Sequence, residues 1–360
     1  MKQQPYLKLC IFMLCSLPFR QSIAGPASEV KKDETLVFFN TSAWLNETTD
    51  QWHIPIHGWI FEPEHSTVRK ELIAAVFEST YGLSVTENSQ AVFDQRINLL
   101  LADNERNKSI VIRFANRTYA LPASAANGHF KAELLVDEKI IASTNIKAQL
   151  TYQAVLPDQD SRIFSGQVNL ISAKGLSIIS DIDDTIKISE VTDRKQLLNH
   201  TFYLDFKVAP DMAKLYSELL KEDDALHFVS SSPWQLYPTL VTFIEKAGFS
   251  DADYALKTFR FKDSSLINLF ASSHDTKPPQ IIEILQKFPD RQFILVGDSG
   301  EHDPEIYAQI QQQFPQQIIK ILIRNVTGEN QLNSRFKNTF KTIKPNLWQL
   351  FEHPSEIKLE

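Results

Sequence analysis

The 360-residue sequence predicts an α/β protein in which an open, mostly parallel, helix-covered sheet follows a smaller β-rich, sandwich-like domain. Three observations predict it. An apolar run ends abruptly in acids at Ile178-Ile-Ser-Asp181-Ile-Asp183-Asp184-Thr185-Ile-Lys187, as a buried strand delivering carboxylates to a site would. Beyond this run, short apolar strands alternate with helical segments. Before it, the pattern is strands separated by polar turns. The periodicity changes across 156–166, which contains Pro157 and several polar residues, so the expected division is a leader at 1–24, a β-rich domain at 25–165 and an α/β domain at 166–360.

The leader carries Lys2 and Lys8, an apolar core from Leu9 to Leu17, and small residues around Ser22-Ile23-Ala24, the pattern of a secretory signal peptide. The expected location is therefore periplasmic or secreted. Its core is too short to span a bilayer, and no later stretch approaches the roughly 18 uninterrupted apolar residues a span needs. Both cysteines, Cys10 and Cys15, lie in the leader. A mature chain without thiols excludes a disulfide framework, a cysteine nucleophile and a thiolate metal site. Cleavage deletes Lys2, Lys8 and Arg20 but no acid, so 37 basic residues become 34 against 44 acidic ones and the net charge moves from −7 to −10. That balance argues against a general nucleic-acid binder.

In the first domain, strands are expected at 36–39, 53–61, 96–101, 109–114, 129–136 and 146–152, with one helix at 68–79. His53, His57 and His65 are spread over a strand and a turn without helical i, i+4 pairing and do not read as a metal site. In the second domain, strands are expected at 176–182, 226–229, 254–256, 293–296 and 318–323. Helices at 210–221, 239–246, 279–288 and 304–314 place apolar residues at three-and-four spacing. This is the rhythm of a parallel sheet covered on both faces.

The polar residues at the strand ends form a selective set. Asp181, Asp183 and Thr185 follow the first strand. Ser230 opens a serine turn after the second, able to hold a phosphate oxygen or simply to lead into a helix. Lys277 lies just before a helix, where its ammonium could neutralise an anion; Lys257 and Lys262 compete for that role. Asp298 and Asp303 stand on a turn whose glycines, Gly297 and Gly300, permit close backbone approach. Crowded carboxylates call for a hard divalent cation with oxygen ligands, here Mg2+. A carboxylate nucleophile, a second acid, a hydroxyl and a lysine around such an ion suit phosphoryl transfer. Two residues apart on a strand, Asp181 and Asp183 would project on the same side.

The segments Ser180-Asp-Ile-Asp-Asp-Thr-Ile-Lys187, Val229-Ser-Ser-Ser-Pro-Trp-Gln-Leu-Tyr237 and Val296-Gly-Asp-Ser-Gly-Glu-His-Asp-Pro-Glu-Ile-Tyr307 resemble the haloacid dehalogenase superfamily of phosphatases, most closely the catalytic domain of the actin-patch phosphatidate phosphatases. The likeness covers roughly 166–327, and Gly58-Trp59, 102–108 and 127–130 resemble the β-rich region that precedes that domain in bacterial proteins. It implies a haloacid dehalogenase-like sheet with a small flap and a magnesium-dependent phosphomonoesterase. Asp181 is then the nucleophile and Asp183 the acid/base and a backbone metal ligand. Asp298 is a metal ligand, and Asp303 binds the metal directly or through water. The implied substrate is phosphatidate, cleaved to diacylglycerol and phosphate through an aspartyl-phosphate. Short inserts at 185–210 and 248–277 leave the site open to a bulky substrate.

Trp234, Tyr237 and Trp348 are candidates for peripheral membrane contact, as is the tail 335–351, although the tail reads first as a helix packed on the sheet and Trp234 first as a core residue. The alternative substrates are another phospholipid, a soluble phosphomonoester or a phosphoprotein. The alternative class is a secreted module that binds a protein partner through its β-rich half.

Overall fold

The computed structural model describes residues 27–144, 148–258 and 276–357. The expected leader and Lys262 lie outside them. Two sheets organise the described chain. The first contains β1 (Thr35–Phe39), β2 (Thr41–Asn46), β3 (Gln51–Glu62), β4 (Asp103–Asn104), β5 (Val111–Phe114), β6 (Arg117–Ala120), β7 (His129–Asp137), β8 (Gln149–Ala154) and β9 (Ser165–Ile171). Its order is β1-β3-β2-β9-β8-β5-β6, with β4 and β7 also pairing with β3. All its ladders are antiparallel except β2 with β9. Phe38 of β1 and Phe130 of β7, both in register with Gly58 of β3, meet edge to face at 5.8 Å, and Tyr152 of β8 meets Phe38 at 4.9 Å within one apolar core.

Three helices belong to this half: α1 (Thr67–Tyr81), α2 (Gln90–Leu101) and α3 (Glu138–Ala142). The side chain of Ser66 accepts from the Arg69 amide to start α1, and Gly82, at φ 63, ends it. The strand expected at 96–101 is instead the second half of α2. Its buried residues, Phe93, Ile97, Leu100 and Leu101, recur at helical spacing, and the short apolar run alone resembled a strand because periodicity cannot separate the two over so few residues. β9 still pairs within the first sheet, so the passage between sheets occurs at 172–175 rather than at 165/166. The buried Arg291 fastens that passage, donating to the carbonyls of Ser172 and Lys174 at 2.8 Å and to Ser177 Oγ at 2.8 Å.

The second sheet is wholly parallel: β10 (Leu176–Ser180), β11 (Ala225–Pro233), β12 (Ala252–Lys257), β13 (Gln292–Asp298), β14 (Ile318–Arg324) and β15 (Trp348–Phe351), in the order β12-β11-β10-β13-β14-β15. The winding direction reverses between β10 and β13, and a crevice opens at the carboxyl ends of strands at such a reversal. Neighbouring residues of β10 face opposite ways. Ile178 packs with Met212, Leu215 and Leu240 of α5 (Met212–Leu219) and α6 (Tyr237–Lys246), whereas Ile179 packs with Ile281, Leu285 and Ile306 of α7 (Lys277–Lys287) and α8 (Asp303–Gln313). These α labels follow α4 (Arg194–Phe202), which lies in the insert after β10. The tail forms α9 (Ser334–Thr339) and then, beyond Pro345, the unexpected edge strand β15. Trp348 stacks 4.1 Å from Phe340, so the tail packs on the sheet. No described helix is long and apolar enough to cross a membrane.

The two sheets share a core. Phe39, Trp59, Phe77, Phe93 and Ile97 from the first half pack with Phe202, Trp234 and Tyr237 from the second. At this seam His57 Nε2 lies 3.0 Å from His129 Nδ1, and Trp234 lies 4.7 Å from the His57 ring. Burial, reinforced by Lys131, pushes His129 down to about 4 and His57 well below its ordinary value. Both are neutral in the fold, while an unfolded chain protonates them near 6.5. The folded state therefore loses stability as the pH falls below about 6.5, and for His129 the loss continues to about 4, amounting to about 3 kcal/mol. Melting curves across this window are expected to show that slope, and His129→Gln to flatten it. An unchanged slope in the variant would sink the assignment.

Candidate active site

The first strand delivers its acids in three directions. β10 ends at Ser180, whose hydroxyl meets Tyr216 OH at 2.7 Å, and the Asp181 amide still bonds Val296 O across the sheet at 2.9 Å. The chain then turns: the amides of Ile186 and Lys187 both reach Ile182 O at 3.0 Å, and Asp184 takes a left-handed φ of 53. The pleat that would have put Asp181 and Asp183 on one side has therefore ended before either residue. Asp181 meets Lys277 Nζ at 2.9 Å, and Thr185 Oγ1 lies 3.5 Å from its other oxygen. Asp183 turns to Lys187 Nζ at 2.6 Å, Ser189 Oγ at 2.7 Å and Ser232 Oγ at 2.9 Å. Asp184 accepts the backbone amides of Ser189, Glu190 and Val191 at 2.7, 2.9 and 2.7 Å, an organising role for the insert.

That insert, expected as a hairpin-like flap, carries α4. Its base is closed by the amide of Ile188 on Lys207 O at 2.9 Å and that of Ala209 on Ile186 O at 2.8 Å. Phe77 and Phe93 of α1 and α2 pack against Phe202 and Tyr203.

Across the reversal point, β13 ends in Asp298. Its Oδ1 accepts the amides of Gly300 and Glu301 at 2.6 and 3.1 Å. Asp303, at the start of α8, accepts from Lys277 at 2.6 Å and from the Asp298 amide at 3.3 Å. A Cβ at Gly297 would stand 2.3 Å from Asp303 Oδ2, and one at Gly300 would stand 2.8 Å from Val191 of the insert, so both positions need glycine. Asp181, Asp298 and Asp303 each bring an oxygen within 4.8 Å of the others, and all three are buried. Asp183, expected among the ligands, does not bring its side chain to this set.

Charge is the feature of this cluster. Burial pushes the carboxyls of Asp181, Asp298 and Asp303 up, and their mutual repulsion adds to it; Lys277 opposes the rise. Burial alone would lower Lys277, but Asp181, Asp303 and Glu301 hold it well above its ordinary value. The carboxyls of Asp181, Asp298, Asp303 and Glu301 crowd around the single ammonium of Lys277, and among the described residues Asp298 Oδ2 is buried with no hydrogen-bond partner. An oxygen-rich, carboxyl-crowded pocket with an orphaned ligand atom fits a hard divalent cation, which would favour the ionised forms. Asp183 behaves oppositely: burial opposes its ionisation, but Lys187, Ser189 and Ser232 together hold its carboxyl below the usual value.

Of the expected lysines, Lys277 reaches Asp181, at 2.9 Å. Lys257, at the end of β12, is lowered by burial and lies in the field of Glu301 and Arg194. Ser230 is buried, its Oγ accepting the Ser232 amide at 3.0 Å. Sequence reasoning gave no role to Lys187, Ser189, Ser232 and Glu301. Lys187 stood four residues after Asp183 in an acidic turn, which was a usable signal; Ser189 and Ser232 carry none beyond their type. Trp234, Tyr237 and Trp348 are all buried, so the membrane contact expected of them is not available from these side chains.

Asp184→Ala is expected to cost about 2 kcal/mol by removing the acceptor of three amides, of which that of Ser189 is buried. Hydrogen exchange should quicken at Ser189, Glu190 and Val191 while the amide of Asp181 stays protected. Equal protection of the three amides in the variant would refute the clamp.

Residues 176–325 match the family model described as phosphatidate phosphatase APP1, catalytic domain. Phosphatidate phosphatase APP1 of Saccharomyces cerevisiae is 39% identical over 160 residues, covering 43% of this chain and 27% of that protein. An uncharacterized protein of Schizosaccharomyces pombe is 29% identical over 216 residues, covering 58% of this chain and 34% of its own length. The chain thus spans about a third or less of the length of the curated relatives it matches. The part of the chain that builds the acidic crevice, residues 176–325, is similar to the phosphatidate phosphatase APP1 catalytic domain.

Proposed function

We propose that this chain is an exported, Mg2+-dependent phosphatidate phosphatase of the haloacid dehalogenase type. The observation that carries the reading is the buried set of Asp181, Asp298 and Asp303, whose oxygens converge beside Lys277 with Asp298 Oδ2 left unpartnered among the described residues. Mg2+ would be held by these three acids and would offset the charge of the phosphate against that of the nucleophile. Export is inferred from the amino-terminal leader pattern.

Asp181 Oδ attacks phosphorus, the phosphorus–oxygen bond to the diacylglycerol breaks, and an aspartyl-phosphate forms. Asp183 gives a proton to the departing alkoxide and then takes one from the water that opens the intermediate, releasing phosphate. Before substrate enters, Asp183 is ionised by Lys187, Ser189 and Ser232, the state of a base. A phosphate dianion placed beside it raises its proton affinity, as any like charge does, and readies it as an acid. Lys277, together with the Ser230 and Thr185 hydroxyls, steadies the transferring oxygens. Phosphatidate presents its phosphate at a lipid surface, so the protein meets a membrane from outside rather than spanning it.

Phosphate release from phosphatidate vesicles with Mg2+ is expected in the wild type, with loss by chelation and a fall of about three orders of magnitude or more in Asp181→Asn. A panel of phosphatidate, other phospholipids, sugar phosphates, nucleotides and a phosphoprotein separates the substrate classes. Turnover of a soluble ester with none of phosphatidate would overturn the substrate. Independently of activity, Mg2+ is expected to raise the melting temperature of the wild type but not of Asp298→Asn. Equal shifts in both proteins would remove Asp298 from the metal site.

A further inference from the structure

The β-rich half contributes no group to the acidic cluster, yet it ends against the loop that holds the acid/base. Phe39, the last residue of β1, lies 4.3 Å from the Trp234 ring and 4.8 Å from that of Tyr237. His57 on β3 meets Trp234 edge-on at 4.7 Å and is itself held by His129 of β7 at 3.0 Å. The amide of Asn40 donates to Tyr237 OH at 2.9 Å. Helix α2 rests against the same turn, 234–236. Trp234 is joined to Ser232 through Pro233 alone, at φ −72 and ψ 148, and Pro233 is still in register with Lys257 of β12. A ring-locked residue flanked by a strand on one side and a packed indole on the other transmits a displacement rather than absorbing it. Ser232 Oγ in turn bonds Asp183 Oδ2 at 2.9 Å.

We propose that the first sheet is a positioning scaffold for proton transfer: Phe39, His57 and His129 clamp Trp234 and, through Pro233 and Ser232, fix the carboxylate of Asp183. The inference rests on the phosphatase reading for what Asp183 does, but not for the clamp itself. Among the described residues no hydrogen bond or ring contact joins the seam to Asp181, Asp298 or Asp303, so the clamp acts on the acid/base and not on the metal cluster; it touches the phosphate-binding groups only through the Ser232 amide on Ser230 Oγ at 3.0 Å. Loosening it therefore lowers kcat more than it raises KM, because a misplacement of order 1 Å costs the chemical step far more than the bound ground state.

The test uses the full chain with three variants, Phe39→Leu, Ser232→Ala and the double variant, assayed with a soluble aryl phosphate and Mg2+. Phe39→Leu keeps an apolar side chain of nearly equal volume and is chosen to fold. The expected result is a fall in kcat of about tenfold in Phe39→Leu with KM within about twofold, and little further loss when Phe39→Leu is added to Ser232→Ala, since the linkage is then already cut. Tyr237→Phe, which removes a single hydroxyl, is expected to give a smaller fall of the same kind. Hydrogen exchange at 230–234 is expected to quicken in Phe39→Leu while that at 298–303 is unchanged. If the losses in the Phe39 and Ser232 variants multiply, or if exchange at 230–234 does not change, the clamp is overturned. If the wild type hydrolyses no phosphomonoester while exchange at 230–234 still quickens, the phosphatase reading fails and the clamp stands.

Discussion

The buried ammonium of Lys277 is the interaction on which the rest of the crevice depends. Taking it and the carboxylates of Asp181 and Asp303 out of water carries a desolvation penalty that only close geometry and further hydrogen bonds can offset. The surrounding sequence supplies that geometry. The parallel sheet brings the ends of β10 and β13 side by side. Gly297 lets Asp303 approach the strand backbone, and α8 begins at Asp303, so the helix N-terminus faces a negative charge. Even so, four carboxyls, those of Asp181, Asp298, Glu301 and Asp303, crowd around this one ammonium.

The three acids after β10 look equivalent in the sequence but have three fates, decided by one backbone dihedral angle. The left-handed turn at Asp184 directs that side chain into the amides of Ser189, Glu190 and Val191, and so fixes the insert that carries Lys187 and Ser189. Those two residues then hold Asp183. Asp184 thus reaches the chemistry only through the shape of the insert, while Asp183 and Asp181 are separated into environments of opposite electrostatic sign: one carboxyl lowered by a neighbouring cation, the other raised by burial and crowding.

Much of this was legible in the sequence because strand ends and helix starts were marked by composition. The β10, β11, β13 and β14 segments were apolar runs of strand length, and the acids, serines, lysine and glycines stood where those runs stopped. What could not be read had physical reasons. Residues 96–101 are apolar in a way that suits either a strand or the buried half of a helix, and only the packing of Phe93 and Ile97 decides it. β15 is four residues long and exists because β14 offers it an edge. Lys187, Ser189 and Ser232 are ordinary polar residues until the turn at Asp184 and the bulge in β11 bring them to one carboxylate. The aromatic candidates for membrane contact proved buried, as their alternative reading as core residues has it, because a buried tryptophan and one at a lipid surface have the same sequence context.

The site is therefore built in two tiers with different supports. Asp181, Lys277 and the other acids of the cluster hang on β10, β13, α7 and α8, whose apolar side chains pack largely on one face of the second sheet. Asp183 hangs on the insert and on the end of β11, which pack on the other face, where Phe39, Trp59, Phe77 and Phe93 of the first half join the same core. A disturbance in one core reaches one tier first. Lesions on the α7–α8 side should resemble loss of metal or phosphate binding, and lesions along the seam should resemble loss of the acid/base. A β-rich half joined to the catalytic sheet by a continuous core, rather than by a mobile linker, makes sense in these terms: it meets the tier whose only anchors within the second half are an insert and a bulged strand end.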